Sequence, residues 1–508
     1  MRKLSCTEIL YFAFFILLSV AKGLGLYEGQ KLFTLLVIPA LICVVLKLVL
    51  TSYTRRQRVI LSILLVITAI VYYESGELGI LFVMFTILGM KDISLDKVLH
   101  LGLWVWTLCS ILLCIISFFR IEHTVYRVSD KLGLGYIMRW SLGFTHPNIL
   151  HITYLALCAF ILHELAARFG FRHFLWLMLG NVLVFFYSVS YTGFGIVTLL
   201  LVGEMYVTFR PRFCLFEKII VNTVLPFIIL ISFALPLMLR MPRFAESIQK
   251  LNLLVNTRIN IANNYLIPEC ISLFGVKMSY LSRIQSYLSI DSSYIWAFIH
   301  YGIVPFVLLM GAYLILIWNY SKEQRTRELV VVICFLMAGI TEPLLFNTSF
   351  KNVTLLFLGE LLFGQKAEAE ENPQSLIELP IEFGEIWEAY RTRIMAGVAA
   401  GAILGAILCG ICYTQPRGYI VPRRNADWRD KSSVYLMSAD DPDYEGYRVM
   451  NYQDAETPMQ IVEGNAVVLE TARYYVGSVM IGGLAGYVVC AGTIIINNRR
   501  RLRRGESI

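Results

Sequence analysis

Long apolar runs, separated by short clusters of Arg and Lys, recur along nearly the whole chain. A hydrocarbon core of about 30 Å needs roughly twenty apolar residues per helix. Runs of this kind are predicted over 7–26, 31–50, 58–73, 77–91, 98–118, 149–167, 174–188, 191–208, 218–238, 293–318, 328–345 and 348–364. Two more lie over 393–413 and 475–496, and the runs at 58–73, 77–91 and 174–188 are short. The pattern predicts an all-α polytopic membrane protein with about twelve transmembrane helices. A C-terminal two-helix membrane module with a small extracytoplasmic segment follows. Neither an internal repeat nor an inverted pair of Gly/Pro-broken helices stands out.

The polar breaks orient the spans, because cytoplasmic loops accumulate Lys and Arg. Arg55-Arg56-Gln57-Arg58, the Arg168/Arg172 pair, the Arg210/Arg212/Lys218 group, Lys322/Arg325/Arg327 and the terminal Arg499–Arg504 cluster fall on one side if the spans alternate. That side is the expected cytoplasm, with both termini on it. The apolar run after Met1-Arg2-Lys3 lacks a clear small-residue cleavage site and reads as a retained first span. Three longer segments are left outside: 119–148, 239–292 and 414–474. The first two carry more Arg and Lys than acids, against the usual bias, which calls for an anionic partner at the outer surface. Residues 365–392 form an acidic cytoplasmic linker and a domain boundary, dividing a 1–364 membrane domain from a 393–508 two-span module.

Composition narrows the class. The chain of 508 residues is 57% hydrophobic and only 16% charged, too apolar for a soluble protein. Its formal charge of +8 resides in short loops beside apolar runs, so no nucleic acid partner is expected and a lipid bilayer is. The eleven Cys are scattered, and Cys270 is the sole Cys of the three outer segments, so none has an internal disulfide partner there. Cys409 and Cys412 form a C-x-x-C inside a Gly/Ala-rich span, where a small-residue helix face is the expected reading rather than redox or metal chemistry.

Candidate chemistry gathers at the outer ends of the spans. The 239–292 loop contains Arg240, Arg243, Arg258 and Arg283. The guanidinium is a planar, permanently charged fork that grips phosphate oxygens in pairs. These Arg suit either a pyrophosphate at headgroup depth or plain anchoring to anionic lipid, and Arg258, well inside the loop, favours the first. Asp291, where the loop re-enters the membrane, suits a general base toward a sugar hydroxyl or a helix N-cap. His146 in Thr145-His146-Pro147-Asn148 suits proton exchange or a turn before a helix. Glu342 lies at the membrane edge, where a carboxylate is costly and usually functional; a solvated turn is the other reading. His151 and Glu204 are ionisable positions within spans.

Several of these runs, in this order, resemble Wzy-type O-antigen and capsular polysaccharide polymerases over roughly residues 1–364. They are Leu142-Gly143-Phe144-Thr145-His146-Pro147-Asn148, the Ser188-Val189-Ser190-Tyr191-Thr192-Gly193 turn, Arg258 followed by Leu273-Phe274-Gly275, and Asp291-Ser292-Ser293-Tyr294 with Tyr301-Gly302. The chain departs from the pattern at Tyr191, where such proteins often carry Arg. The resemblance implies a glycosyltransferase of the bacterial cytoplasmic membrane that joins undecaprenyl-pyrophosphate-linked repeat units on its outer face into O-antigen, capsule or exopolysaccharide. It implies no cofactor and no metal. Arg258 would stabilise the leaving pyrophosphate, and Asp291, His146 or Glu342 would accept the hydroxyl proton. Arg243, Arg283, Arg139, Asn148 and Tyr294 are the matching candidate substrate contacts.

A ligase that passes the finished glycan to another acceptor shares these features. A transporter or lipid flippase would place charge near the bilayer midplane, whereas here charge crowds the span ends. The C-terminal module is similar in topology to polysaccharide chain-length regulators, and such a regulator or a flippase is a candidate partner. Asp440-Asp441-Pro442-Asp443 in its outer segment reads as a solvated loop rather than a cation site.

Overall fold

The computed structural model describes residues 5–119, 126–130, 136–255, 257–278, 290–364, 383–412, 418–421, 435–437, 460–462 and 465–503. Arg283, the 365–382 stretch of the acidic linker and Asp440–Asp443 lie outside the described residues.

The described chain is overwhelmingly helical. Its first helices are α1 (Cys6–Gly23), α2 (Lys31–Leu50), α3 (Arg55–Ser75), α4 (Gly79–Gly89) and α5 (Leu95–Phe119). A β1 (Tyr126–Asp130) and β2 (Tyr136–Trp140) antiparallel hairpin follows, with Arg127 opposite Arg139. Then come α6 (Pro147–Glu164), α7 (Phe171–Ser188), α8 (Tyr191–Phe209) and α9 (Leu215–Met238). The large loop folds into α10 (Pro242–Leu254) and α11 (Arg258–Tyr265). The bundle closes with α12 (Ser293–His300), α13 (Ile303–Glu323), α14 (Thr326–Ala338) and α15 (Thr354–Phe363). The last unit pairs α16 (Phe383–Cys412) with α17 (Asn465–Arg503), between which β3 (Gly418–Val421), β4 (Tyr435–Met437) and β5 (Gln460–Val462) form a small antiparallel sheet centred on β3.

Among the described residues, 10 helices are long and apolar enough to cross a membrane. The protein is built as a multi-pass membrane protein. Each predicted run appears as helix, but three are trimmed. α4 is 11 residues, α14 ends at Ala338 rather than 345, and α15 begins only at Thr354. The 339–353 turn is therefore longer than the apolar pattern suggests, and it carries Glu342 and Lys351 outside any helix.

The run over 293–318 is broken, and the break is physical. Gly302 takes φ +85° and Gly275 φ +94°, conformations that L side chains rarely adopt. A Cβ on Gly275 would meet the His300 carbonyl oxygen, and one on Gly302 would meet the backbone of Leu273, Phe274 and Gly275. The two glycines let the loop lie directly on the α12–α13 junction. Ile303 N donates to Ser272 O at 2.9 Å and Val304 N to Leu273 O at 3.1 Å, so the loop satisfies amides that the break exposes.

Buried charge also appears where the apolar pattern is continuous. Glu204 on α8 is paired with Arg327 of α14 at 2.9 Å. Arg325 lies 2.8 Å from Glu360 of α15. In the C-terminal pair, Gly401 and Gly405 face Gly482 and Ser478 so closely that added Cβ atoms would strike the opposite backbone. This is the small-residue face expected of that span. Cys409 is buried and Cys412 exposed, and both thiols are free.

Candidate functional site

Segments far apart in sequence converge at one end of the bundle. The first is the start of α6. Pro147 suits the first helical position, and His146 caps the helix, its Nδ1 accepting from Asn148 N at 3.0 Å. The cap turns the Asn148 side chain toward the site. Asn148 Oδ1 accepts from Arg139 Nη2 at 2.6 Å, while its Nδ2 donates to Glu342 Oε1 at 2.8 Å. One amide thus joins a cation to a carboxylate.

Arg139 itself comes from β2. It is 9% exposed, and its Nε donates to Ser188 O at 2.9 Å, at the end of α7. That carbonyl is presented because Val189 takes a left-handed φ of +45°, turning the chain into α8. Ser190 then caps α8 by accepting from Gly193 N at 3.3 Å. Beneath the turn, fully buried His151 lies between Ser188 Oγ at 3.2 Å and Asn181 Oδ1 at 2.7 Å. Asn181 continues to Phe194 O and Thr198 Oγ1, so these polar groups tie α6, α7 and α8 together.

Arg258 opens α11 and reaches across to the other side. Its Nε lies 3.0 Å from Asp291 Oδ2, and its Nη2 lies 3.1 Å from Glu342 Oε1. A longer contact of 3.3 Å runs from Nη1 to Thr192 Oγ1 in the α7–α8 turn. Asn252 braces the entry to α11, its carbonyl accepting from Thr257 N and its side chain from Asn260 N.

The start of α12 locks the two carboxylates in register. Ser293 Oγ donates to Glu342 O at 2.6 Å and accepts from Leu345 N at 3.1 Å, while Ser293 N donates to Gly339 O at 2.8 Å. The Asp-Ser-Ser-Tyr run is therefore a clasp. Asp291 holds Arg258, Ser293 holds the Glu342 turn, and Tyr294 donates its hydroxyl to Leu336 O at 2.7 Å.

The result is one connected chain, Arg139–Asn148–Glu342–Arg258–Asp291. Glu342 is 8% exposed. Burial drives its carboxyl up to about 7; Arg258 opposes the rise and Asp291 adds to it. Its Oε1 takes both Asn148 and Arg258, and Oε2 makes no hydrogen bond among the described residues. A carboxyl poised near neutrality with one open oxygen can exchange a proton, and a guanidinium between two carboxylates can turn toward an incoming anion.

Of the residues singled out by sequence pattern, Arg258, Asp291, Glu342, Arg139 and Asn148 come together. Asp291 faces Arg258, and the N-cap position of α12 falls to Ser292. His146 serves as the α6 cap. Tyr294 is fully buried and holds α14, and does not join the chain of contacts. Arg243 is exposed on α10, stacked near Phe244 at 5.6 Å, and does not join the chain of contacts. Sequence reasoning missed the Thr192 contact and the Ser188 carbonyl, because both are set by the turn rather than by residue type. It also missed Glu77, 3.1 Å from His300 Nδ1.

The C-terminal pair abuts this end. Arg473 of α17 is fully buried and donates Nε to Phe186 O at 2.8 Å, and Tyr187 donates its hydroxyl to Arg473 O at 2.5 Å. Tyr474 meets Trp140 edge-to-face with ring centroids 5.1 Å apart. Trp140 and Arg139 are neighbours on β2, and Phe186 and Tyr187 immediately precede Ser188.

Comparison with protein-family models, with curated proteins and with solved structures finds no match to this chain.

Proposed function

We propose that the protein is a polysaccharide polymerase, acting on the outer face of a bacterial cytoplasmic membrane on repeat units linked to undecaprenyl pyrophosphate. One observation carries this reading: the Arg139–Asn148–Glu342–Arg258–Asp291 chain at one end of a helical bundle. Of its members, Arg258, Asp291 and Glu342 are residues to which the polymerase resemblance assigns phosphate or proton chemistry, and Arg139 and Asn148 are candidate substrate contacts.

In the proposed reaction, the acceptor sugar hydroxyl oxygen attacks the anomeric carbon of the donor glycan. The carbon–oxygen bond to the pyrophosphate breaks, and the lipid pyrophosphate departs with the electron pair. Arg258 meets the charge that grows on the leaving oxygen, and Arg139 supports it. The hydroxyl proton passes to Glu342 Oε2, with Asp291 holding Arg258 in place until the pyrophosphate arrives. Attack opposite the leaving group inverts the anomeric centre. A ligase that hands the glycan to a different acceptor uses the same groups.

The test is Arg258→Ala in cells that carry this protein as their sole polymerase. The expected outcome is loss of polymer with single lipid-linked repeats retained. Normal polymer length and yield would sink the assignment.

A further inference from the structure

Each buried Lys or Arg among the described residues has an oxygen to donate to, with one exception. Lys22 donates to Leu26 O, Lys47 to Lys91 O, Arg139 to Ser188 O and Arg473 to Phe186 O. Lys351 is 4% exposed, yet no hydrogen bond or ion pair reaches its Nζ among the described residues. It meets only ring faces, with the centroids of Trp106 and Phe144 at 5.3 and 5.5 Å. Two ring faces return only part of what desolvating an ammonium takes. The charged side chain that acts on it is Lys22, of the same sign. Burial first, then Lys22, push the Lys351 amine down to about 7.

Lys351 also lines a small cavity with Phe15, Thr86, Trp106, Phe160, Phe350 and Asn352. None of the residues that line the cavity belongs to the Arg258 cluster. Glu342 and Lys351 stand near opposite ends of the same turn, and Phe144, which touches Lys351, shortly precedes Asn148. The two places differ in charge. Arg139 and Arg258 are balanced by Asp291 and Glu342, whereas among the described residues the acid that acts on Lys22 is Glu28 and none acts on Lys351. An anion is drawn to uncompensated charge, and a lysine ammonium is a compact partner for phosphate oxygens.

We propose that Lys351, with Lys22 behind it, forms a second anion subsite that takes a phosphate-type oxyanion of an amphiphile. The aromatic wall formed by Trp106 and Phe144 would pack against the apolar part of that ligand. In the proposed polymerase this anion is the pyrophosphate of the second lipid-linked unit, and that identification alone rests on the reading above.

The experiment uses the full chain in phosphatidylcholine nanodiscs, titrated with geranyl pyrophosphate and with inorganic pyrophosphate. Lys351→Met should weaken geranyl pyrophosphate binding by about tenfold or more, while Lys351→Arg should retain it. Without ligand, Lys351→Met should also melt higher than the parent, because an uncompensated buried charge is gone. The same effect of Lys351→Met should hold in the Arg258→Ala background, which removes the pyrophosphate contact proposed for the Arg258 cluster. No polymerisation is measured, so failure here is distinct from failure of the polymerase reading. Replacing part of the phosphatidylcholine by phosphatidylglycerol separates two sources. Competition that Lys351→Met abolishes assigns the subsite to a lipid headgroup, and absence of competition assigns it to the prenyl pyrophosphate. Equal affinity with and without Lys351→Met, in the Arg258→Ala background, would overturn the proposal.

Discussion

The Nη2 of Arg258 lies 3.1 Å from the Oε1 of Glu342, joining the large loop to the turn between α14 and α15. The same guanidinium holds Asp291 at 3.0 Å through Nε, so a single side chain closes the loop over the end of the bundle. A lysine cannot span both carboxylates with fixed geometry. Arg258→Lys should therefore lose at least about a hundredfold in polymer formation, close to the loss in Arg258→Ala. Arg258→Ala leaves Asp291 and Glu342 without the cation they share. Because the Arg258 side chain is 17% exposed, the accompanying loss of stability should be toward the low end of the roughly 3–5 kcal/mol seen for broken buried pairs. Quantified polymer yield and thermal melting of the two variants check this.

Glu342 gives opposite pH trends for stability and for activity. Its carboxyl is raised from 4.5 to about 7 in the fold, chiefly by burial. Between those values the folded state holds a proton that the unfolded chain has lost, so this group's contribution to stability falls as pH rises. Activity that needs the carboxylate rises over the upper part of the same range. Glu342→Gln should flatten the stability trend and remove the activity. Melting curves and rates measured from pH 5 to about 8 read both.

Asn148 links Arg139 to Glu342 through one amide, with bonds of 2.6 and 2.8 Å. Asn148→Ala should cut turnover about ten- to a hundredfold through misplacement of both groups. Asn148→Asp should be worse, because it sets a third carboxylate beside Glu342. Equal turnover in the two variants, measured on the purified protein, would contradict this arrangement.

Removal of the C-terminal module tests its coupling to the site. The sequence suggests a chain-length regulator, whose loss alters length more than bond formation. The structure sets Arg473 against the peptide that precedes Ser188 and Tyr474 against Trp140, so the module braces both supports of Arg139. Truncation after residue 364 should lower bond formation itself, and Tyr474→Ala should reproduce part of that loss, measured as polymer per molecule of folded protein.

The spans were legible because burial in lipid demands continuous apolar residues, and such runs are local in sequence. The break at Gly302 was not, since it depends on Gly275 packing against it from a distant loop. Arg258, Asp291 and Glu342 stood out as charges at span ends. Their mutual contacts, and the bridging by Asn148, arise from long-range packing that spacing does not encode. The polar neighbours of Tyr294 in its motif do not reveal that its own hydroxyl donates to Leu336 O inside the bundle. Lys351 was overlooked because it sits within an apparently apolar run that the fold opens into a turn.

Polymerisation is measured with the purified protein in liposomes, supplied with a single lipid-linked repeat unit. Dimeric and longer glycan should form, with one lipid pyrophosphate released per bond, and Arg258→Ala should give neither product. Glycan growth unchanged in Arg258→Ala, or no growth from the parent protein with an authentic repeat unit, would contradict the proposed reaction.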